Sequence, residues 1–363
     1  MDLPIFDGHN DTLGKLYPYT EERLQEFFAG RAEGHLDLPR ARAGGLAGGF
    51  FAVYAPPNVP GTPRVGPKVI RTEAGYQVPL AEALDPAHAA RVSIAMTAGL
   101  FRLEAASAGQ VKVARTVHEV ARCLERGVLA AVLHLEGADA IDPGLYLLDV
   151  LYHAGLRSLG IVWSRPNLFG CGVPFRFPGS PDTGPGLTEE GRALVRACNR
   201  LGILVDVSHL NEKGFWDVAA ITAAPLVATH SSAHALCPVT RNLTDRQLDA
   251  IGESGGIVGV NFDAGFVRED GMNNPDTPLS VVVRHVDYMV ERMGIDHVGL
   301  GSDFDGATMP AELGDASGLP RLVAELRQAG YDEASLRKLA HENWLRVLAR
   351  TWRDTQARQG TGA

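Results

Sequence analysis

Eight short apolar runs, each closing on a polar or glycine-rich turn, punctuate the chain. They are Ile5 to His9, Gly49 to Tyr54, Leu129 to Leu135, Ser158 to Trp163, Ile203 to Val207, Leu226 to Thr229, Gly256 to Asn261 and His297 to Gly301. Most are rich in Val, Ile, Leu or Ala, the pattern of strands buried on both faces of a parallel sheet. Segments with helical spacing lie between or after them: Val111 to Arg126, Thr188 to Leu201, Leu279 to Met293, Leu319 to Ala329 and Asp332 to Ala349. Thr188 reads as an N-cap, with Glu189 and Glu190 in the first turn. Eight strands alternating with helices predict an α/β chain folded as a (β/α)8 barrel. A doubly wound open sheet alternates in the same way, and periodicity separates the two only weakly.

At 363 residues, 45% of them hydrophobic, the chain has enough apolar material for one large core. No shift of composition marks a linker, so the barrel is assigned residues 1–350 and a polar C-terminal tail residues 351–363. The Pro- and Gly-rich stretches Pro56 to Val69 and Arg165 to Gly186 read as long excursions after the second and fourth strands, the kind of loop that usually carries function. A net charge of -9 argues against a nucleic-acid binder with a general basic surface. No uncharged apolar run reaches the roughly 18 residues of a membrane span. The first eleven residues hold three aspartates and no basic group, unlike a secretory signal. The four cysteines are scattered with no CxxC pair, which predicts neither a disulfide framework nor a Cys-based zinc site and fits a reducing cytoplasm.

Five of the runs end in side chains that bind metals: His9-Asn10-Asp11, His134-Leu135-Glu136, Asp206-Val207-Ser208-His209, Thr229-His230-Ser231 and Ser302-Asp303-Phe304-Asp305. Residues two apart on a strand face the same side, so His9 and Asp11 can converge. In a barrel all these C-terminal ends open onto one mouth. Imidazoles and carboxylates gathered there suit zinc and related divalent ions, and two cations would offset the repulsion among the carboxylates. Charge logic assigns His9 and Asp11 to one ion, His209 and His230 to a second, and Glu136 to a bridge between them. A hydroxide shared by the two ions would be the nucleophile. Asp303 is left to take the proton from the attacking water and return it to the leaving amine. Asp305 is the other candidate for that role, His134 another candidate ligand, and Asp7 and Asp206 are either supports behind the ligands or inward-facing core residues. His35, His88, His118, His153, His234, His285 and His341 lack a strand end and read as surface or helix residues. No GxSxG elbow, phosphate loop or GxGxxG turn is present.

Taken together, Asp7-Gly8-His9-Asn10-Asp11, His134-Leu135-Glu136-Gly137, Asp206-Val207-Ser208-His209, Thr229-His230-Ser231-Ser232-Ala233 and Gly301-Ser302-Asp303-Phe304-Asp305-Gly306 resemble the membrane (renal) dipeptidase family of the amidohydrolase superfamily, from residue 5 to about residue 345. The resemblance implies a distorted (β/α)8 TIM barrel with two Zn2+ ions that cleaves dipeptides, some with a D-residue on the carboxyl side. It implies the same ligands as above, with Asp303 as proton shuttle. It adds Arg241, which in the family binds the substrate's C-terminal carboxylate; a guanidinium fork matches a planar carboxylate. Homodimers are common in the family. Mammalian members carry a substrate-contacting histidine after the fourth strand, where this chain has Trp163. An indole donates one hydrogen bond but takes no proton near neutral pH. The polarising role then falls to Trp163, Arg165, Asn167 or the metal. With no signal or lipid-anchor tail, the chain is similar to the soluble bacterial-type members. A lactone, β-lactam or N-acyl amino acid would need only a different pocket around the same ions; a catalytically silent binding barrel predicts a missing ligand, and none of the expected positions is empty.

Overall fold

The computed structural model describes residues 3–57 and 69–353. All eight runs are strands: β1 (Ile5–Asn10), β2 (Leu46–Tyr54), β3 (Leu129–Glu136), β4 (Leu156–Gly160), β5 (Leu204–Asp206), β6 (Val227–Ser231), β7 (Ile257–Val260) and β8 (Val298–Leu300). They pair in that order, every pair parallel. The ring closes at its top: Asp11 N donates to Phe304 O at 2.8 Å and Asp303 N to His9 O at 3.0 Å. This is a nearly closed (β/α)8 barrel rather than an open sheet. It is pinched because a side chain at Gly8 or at Gly301 would collide with the Thr229 carbonyl across the ring. Only a residue without Cβ allows β1 and the end of β8 that close to β6.

The interior below the mouth is packed with Phe6, Phe50, Ala130, Val132, Leu204, Val227 and Ile257, together with Trp344. Phe6 and Phe50 meet edge to face at 5.4 Å, and Phe50 meets Trp344 in the same way at 5.6 Å. Trp344 comes from the last helix, Asn343–Thr351, and its indole N–H donates to Leu300 O at 3.2 Å. The helix expected over Asp332 to Ala349 is broken into Glu333–Arg337, a wider turn over Lys338–Glu342, and Asn343–Thr351. The wide turn shifts the helical phase before Trp344 enters the barrel. Thr351 and Trp352 are buried, and Trp352 Nε1 donates to Arg157 O at 3.1 Å. The rest of the predicted tail, from residue 354, lies outside the described residues.

Thr188 caps its helix as expected, its hydroxyl accepting from Gly191 N at 3.0 Å ahead of Glu189–Leu201. The segment Val111 to Arg126 is not one helix. Val111–Val113 is a strand beside β3, and the helix Val117–Arg126 begins only after a capping box built by Thr116 and Glu119. The alternation Val-Lys-Val and the capping Thr were the local signals, outweighed by the longer period. The helix Pro86–Ala106 was not anticipated; Asp85 caps it, accepting from His88 N at 2.7 Å. The second excursion packs on the segment just beyond the first: Phe175–Phe177 pairs with Gly75–Val78, which pairs with Ile70–Thr72. Of the loop Pro56 to Val69, positions 58–68 lie outside the described residues. No helix among the described residues is long and apolar enough to cross a membrane, and all four cysteines are free.

His285, on the helix Leu279–Met293, is buried rather than on the surface. Its Nδ1 accepts from Ala233 N at 3.1 Å, so the proton sits on Nε2, 2.9 Å from Val267 O. Burial holds this imidazole down at about 4. Its neutral form supports the fold fully above the unfolded value of about 6.5, and that support is lost as pH falls towards 4. At about 1.4 kcal/mol per pH unit the loss reaches roughly 3 kcal/mol. His285→Gln should therefore flatten the fall of urea midpoint between pH 6.5 and 4; an unchanged slope would assign the acid sensitivity to other groups.

Candidate active site

The mouth is built by breaks in regular pairing. Register slips between Asp7 and Asn10 in β1, and between Ala228 and Ser231 in β6. Such slips re-aim side chains: Phe6 and Val227 fill the interior, while His9 and His230 turn into the mouth. His209 and Asp303 hold left-handed backbone, with φ of 66° and 62°, uncommon for residues with a Cβ and typical of functional turns.

Glu136 is the hub. Its Oε1 lies 3.1 Å from His209 Nε2, 3.7 Å from His9 Nε2 and 3.8 Å from His230 Nε2. His9 Nε2 is 3.6 Å from Asp11 Oδ2, and His209 Nε2 is 3.2 Å from His230 Nε2. His9 stacks on His230 with ring centroids 3.8 Å apart. Two overlapping triads, His9–Glu136–His230 and His9–Asp11–Asp303, bring one ligand atom from each residue within 4.8 Å of the others. Both nitrogens of the buried His9 lack a hydrogen-bond partner, a state that normally carries a penalty and that a cation would relieve. The donor set and this orphaned imidazole fit divalent ions.

The electrostatics agree. Burial pushes the Glu136 carboxyl well above its usual range, and neighbouring Asp11 adds to that. Burial also raises Asp303, with His9 pulling the other way. Burial holds His209 and His230 well below the usual imidazole value, ready as neutral ligands. At His9 burial opposes the charged form, but Glu136 and Asp11 outweigh it and lift the group to about 10. Crowded buried carboxylates around an imidazole are a charge arrangement that a bound cation balances.

Other anticipated residues sort themselves by contact. Asp305 is fully engaged, by Thr12 Oγ1 at 2.9 Å, Arg31 NH1 at 3.1 Å and His35 N at 2.8 Å, so it anchors its turn and leaves Asp303 at the cluster. His35, read from sequence as a surface or helix residue, accepts from Asp305 N at 2.9 Å and braces the same turn. His134 sits beneath the cluster with Nδ1 on Ser158 Oγ at 2.9 Å and belongs to neither triad. Asp7 bonds to Ser302 N and Oγ, each at 2.7 Å, tying β1 to the end of β8. Arg241 is buried, donating to Ser231 Oγ and His230 O at 2.8 Å each, with Nε unpartnered.

Trp163 lines the rim, its ring 5.8 Å from His209, 5.1 Å from Tyr54 and 5.8 Å from Phe175. Arg165 pairs with Asp139 at 3.0 Å. Asn167 is spent on backbone: Nδ2 donates to Ile161 O at 2.8 Å, and Oδ1 accepts from Phe169 N and Gly170 N at 2.9 and 3.2 Å. It holds the hairpin Pro166–Asn167/Gly170–Cys171 and is not brought to the cluster. Of the side chains considered for that histidine's role, Trp163 is the one whose ring lies beside a cluster imidazole, tilted by 38° to it.

A family model described as "Membrane dipeptidase (Peptidase family M19)" matches residues 1–359. The chain belongs to the membrane dipeptidase family. The crystal structure of dipeptidase AC, an M19 metallo peptidase, is 51% identical, covers 97% of this chain and 99% of its own, and superposes with a TM-score of 0.90. A metallo peptidase from Rhodobacter sphaeroides, liganded with a phosphinate mimic of the dipeptide L-Ala-D-Ala, is 49% identical with a TM-score of 0.89, covering 96% of this chain and 99% of that one. An uncharacterized Klebsiella pneumoniae protein in the pqqA 5′ region is 55% identical over 253 residues, 70% of this chain and 93% of the relative.

In this M19 chain several site residues carried no metal-type side chain and so escaped the sequence. Asn261, at the end of the seventh run, donates from Nδ2 to Asp303 Oδ2 at 2.9 Å while its Oδ1 accepts from Asp263 N at 2.7 Å. Ser164 Oγ lies 2.9 Å from His209 Nδ1, and Thr229 Oγ1 lies 2.8 Å from His230 Nδ1. Gly306 packs so tightly between Asp11 and Asp303 that a Cβ there would overlap both carboxylates. The clue for each was its place beside a strand end.

Proposed function

We propose that this M19 enzyme is a single-barrel, binuclear metallo-dipeptidase that takes free dipeptides, L,D as well as L,L. The observation that carries the reading is the convergence of His9, His209 and His230 on Glu136, with Asp11 against His9 and buried Arg241 beside them. His9 and Asp11 would hold one divalent ion, His209 and His230 the other, and Glu136 both; zinc suits imidazole and carboxylate donors. Bound there, such ions supply a water that ionises near neutral pH and a polarised carbonyl. The rest falls to the chain. Arg241 receives the substrate's free carboxylate and so sets the peptide in register. Trp163 walls the mouth beside His209 and excludes water. Asp303, held through Oδ2 by Asn261, keeps Oδ1 free to take a proton and give it to the leaving amine. The bound dipeptide mimic in the Rhodobacter sphaeroides relative supports the substrate class and the D-residue.

The test compares L-Ala-D-Ala and L-Ala-L-Ala with their C-terminal amides, on wild type and Arg241→Ala. A lost charge-assisted contact of about 1.5–3 kcal/mol predicts a fall of roughly 10- to 150-fold in kcat/KM for the free dipeptides and little further loss for the amides. Equal losses on acids and amides would move the carboxylate clamp elsewhere. Failure of the wild type on every dipeptide would remove the reading.

A further inference from the structure

Asp206 ends β5 inside the barrel, beneath the cluster and almost wholly buried. Its Oδ1 accepts from two backbone amides, Ser208 N and Thr229 N, each at 2.9 Å. Its Oδ2 lies 2.6 Å from the hydroxyl of Thr229, and that hydroxyl lies 2.8 Å from Nδ1 of His230. A hydroxyl has one hydrogen to give. The carboxylate can only accept, so the Thr229 hydrogen goes to Asp206. The contact to His230 is then a hydrogen bond only if Nδ1 carries the proton and donates to Thr229 Oγ1. A neutral imidazole protonated at Nδ1 presents an unprotonated lone pair at Nε2, the atom facing Glu136 and His209. Ser164, at the matching place on His209, makes no hydrogen bond to a carboxylate among the described residues, so nothing comparable sets the tautomer there.

We infer that Asp206, acting through the Thr229 hydroxyl, is a positioning residue that locks His230 in the Nδ1–H tautomer and so keeps Nε2 available to a divalent cation. The inference rests on the metal assignment above. Asp206 touches neither substrate nor metal in this scheme; it sets the direction of a two-link chain of hydrogen bonds. Partners of this kind, lying behind a ligating imidazole, typically change metal affinity by roughly 10- to 100-fold.

Asp206→Asn is the sharpest probe because it reverses the chain without changing its shape. The two backbone donors at Oδ1 must keep an oxygen there, so the amide nitrogen takes the Oδ2 position and donates to Thr229. The threonine hydrogen is then released towards Nδ1 of His230, and the proton of His230 moves to Nε2, where it blocks coordination. Two measurements on chelator-stripped protein decide the matter. Zinc titration against a competing chelator should show a loss of roughly 10- to 100-fold in affinity at one of two sites. Nitrogen-15 spectra of labelled histidines, with His230 identified by its absence in His230→Gln, should show Nδ1–H in wild type and Nε2–H in Asp206→Asn. A second pair guards against a misfolded variant: Thr229→Ser keeps the hydroxyl and should bind zinc like wild type, and Thr229→Val removes it and should bind weakly. Unchanged zinc affinity and tautomer in Asp206→Asn, or equal affinities in Thr229→Val and wild type, would overturn the inference. Wild type that takes up no divalent ion would instead defeat the metal assignment itself.

Discussion

Asp303→Asn should lower kcat by roughly 100- to 10,000-fold, the usual worth of a positioned proton-transfer group, while leaving metal content unchanged. The substitution is close to isosteric. Asn261 Nδ2 can still donate to the oxygen it now meets at 2.9 Å, so the turn and its left-handed backbone are retained. What disappears is the capacity of Oδ1 to take up a proton and hand it on. Burial already pushes this carboxyl above its ordinary range, which suits a group that must hold a proton for part of the cycle. Because Asp303 also lies within 4.8 Å of ligand atoms of His9 and Asp11, metal analysis must accompany kinetics. Full metal with collapsed turnover identifies the shuttle. Lost metal would make Asp303 a ligand instead, and turnover near wild type would assign proton transfer to another group.

Stripping the protein with a chelator should abolish dipeptide hydrolysis, and two equivalents of a divalent ion per chain should restore it. Thermal stability should move with activity. A ligand that binds only the folded state stabilises it by about 4 kcal/mol at a thousand-fold excess over Kd. The stripped site also keeps the strain of its own charges: Glu136 is buried beside Asp11 and three imidazoles, and His9 has no hydrogen-bond partner at either nitrogen. A melting temperature indifferent to the chelator, with activity intact, would mean the cluster does not hold catalytic ions.

Much of this was legible because strand periodicity and motif spacing are local. A run that ends in His-x-Asp or His-x-Glu, as two of these do, places both side chains on one face, and five ends carrying metal-type side chains implied a shared mouth. The β1 and β6 slips show how far that holds. A strict alternation carried up from Phe6 would have aimed Asn10, not His9, inward; only the break in pairing with β2 reconciles a packed interior with a ligand at the next position. Trp344 plugging the barrel from the last helix was equally invisible, since its helical phase depends on a widened turn at Lys338–Glu342.

What the sequence by itself determined is the run of eight strands, the identity of the cluster residues and the metal chemistry they suit, because these follow from residue type and local period; closing the strands into a barrel rather than an open sheet was settled by the contacts between the ends of β1 and β8. What only the tertiary structure decided is which polar groups remain free to act. Asp305 and Asn167 carry the same chemical capacities as residues expected to work, yet Asp305 is held by Thr12, Arg31 and His35, and Asn167 by its own hairpin. Asp206, which the sequence left as either a support or a core residue, accepts three hydrogen bonds beside His230, two of them from Thr229, 23 residues along the chain. A hydrogen bond between neighbouring strands depends on distances that no local pattern encodes, and it is those bonds that separate a reactive side chain from one already occupied.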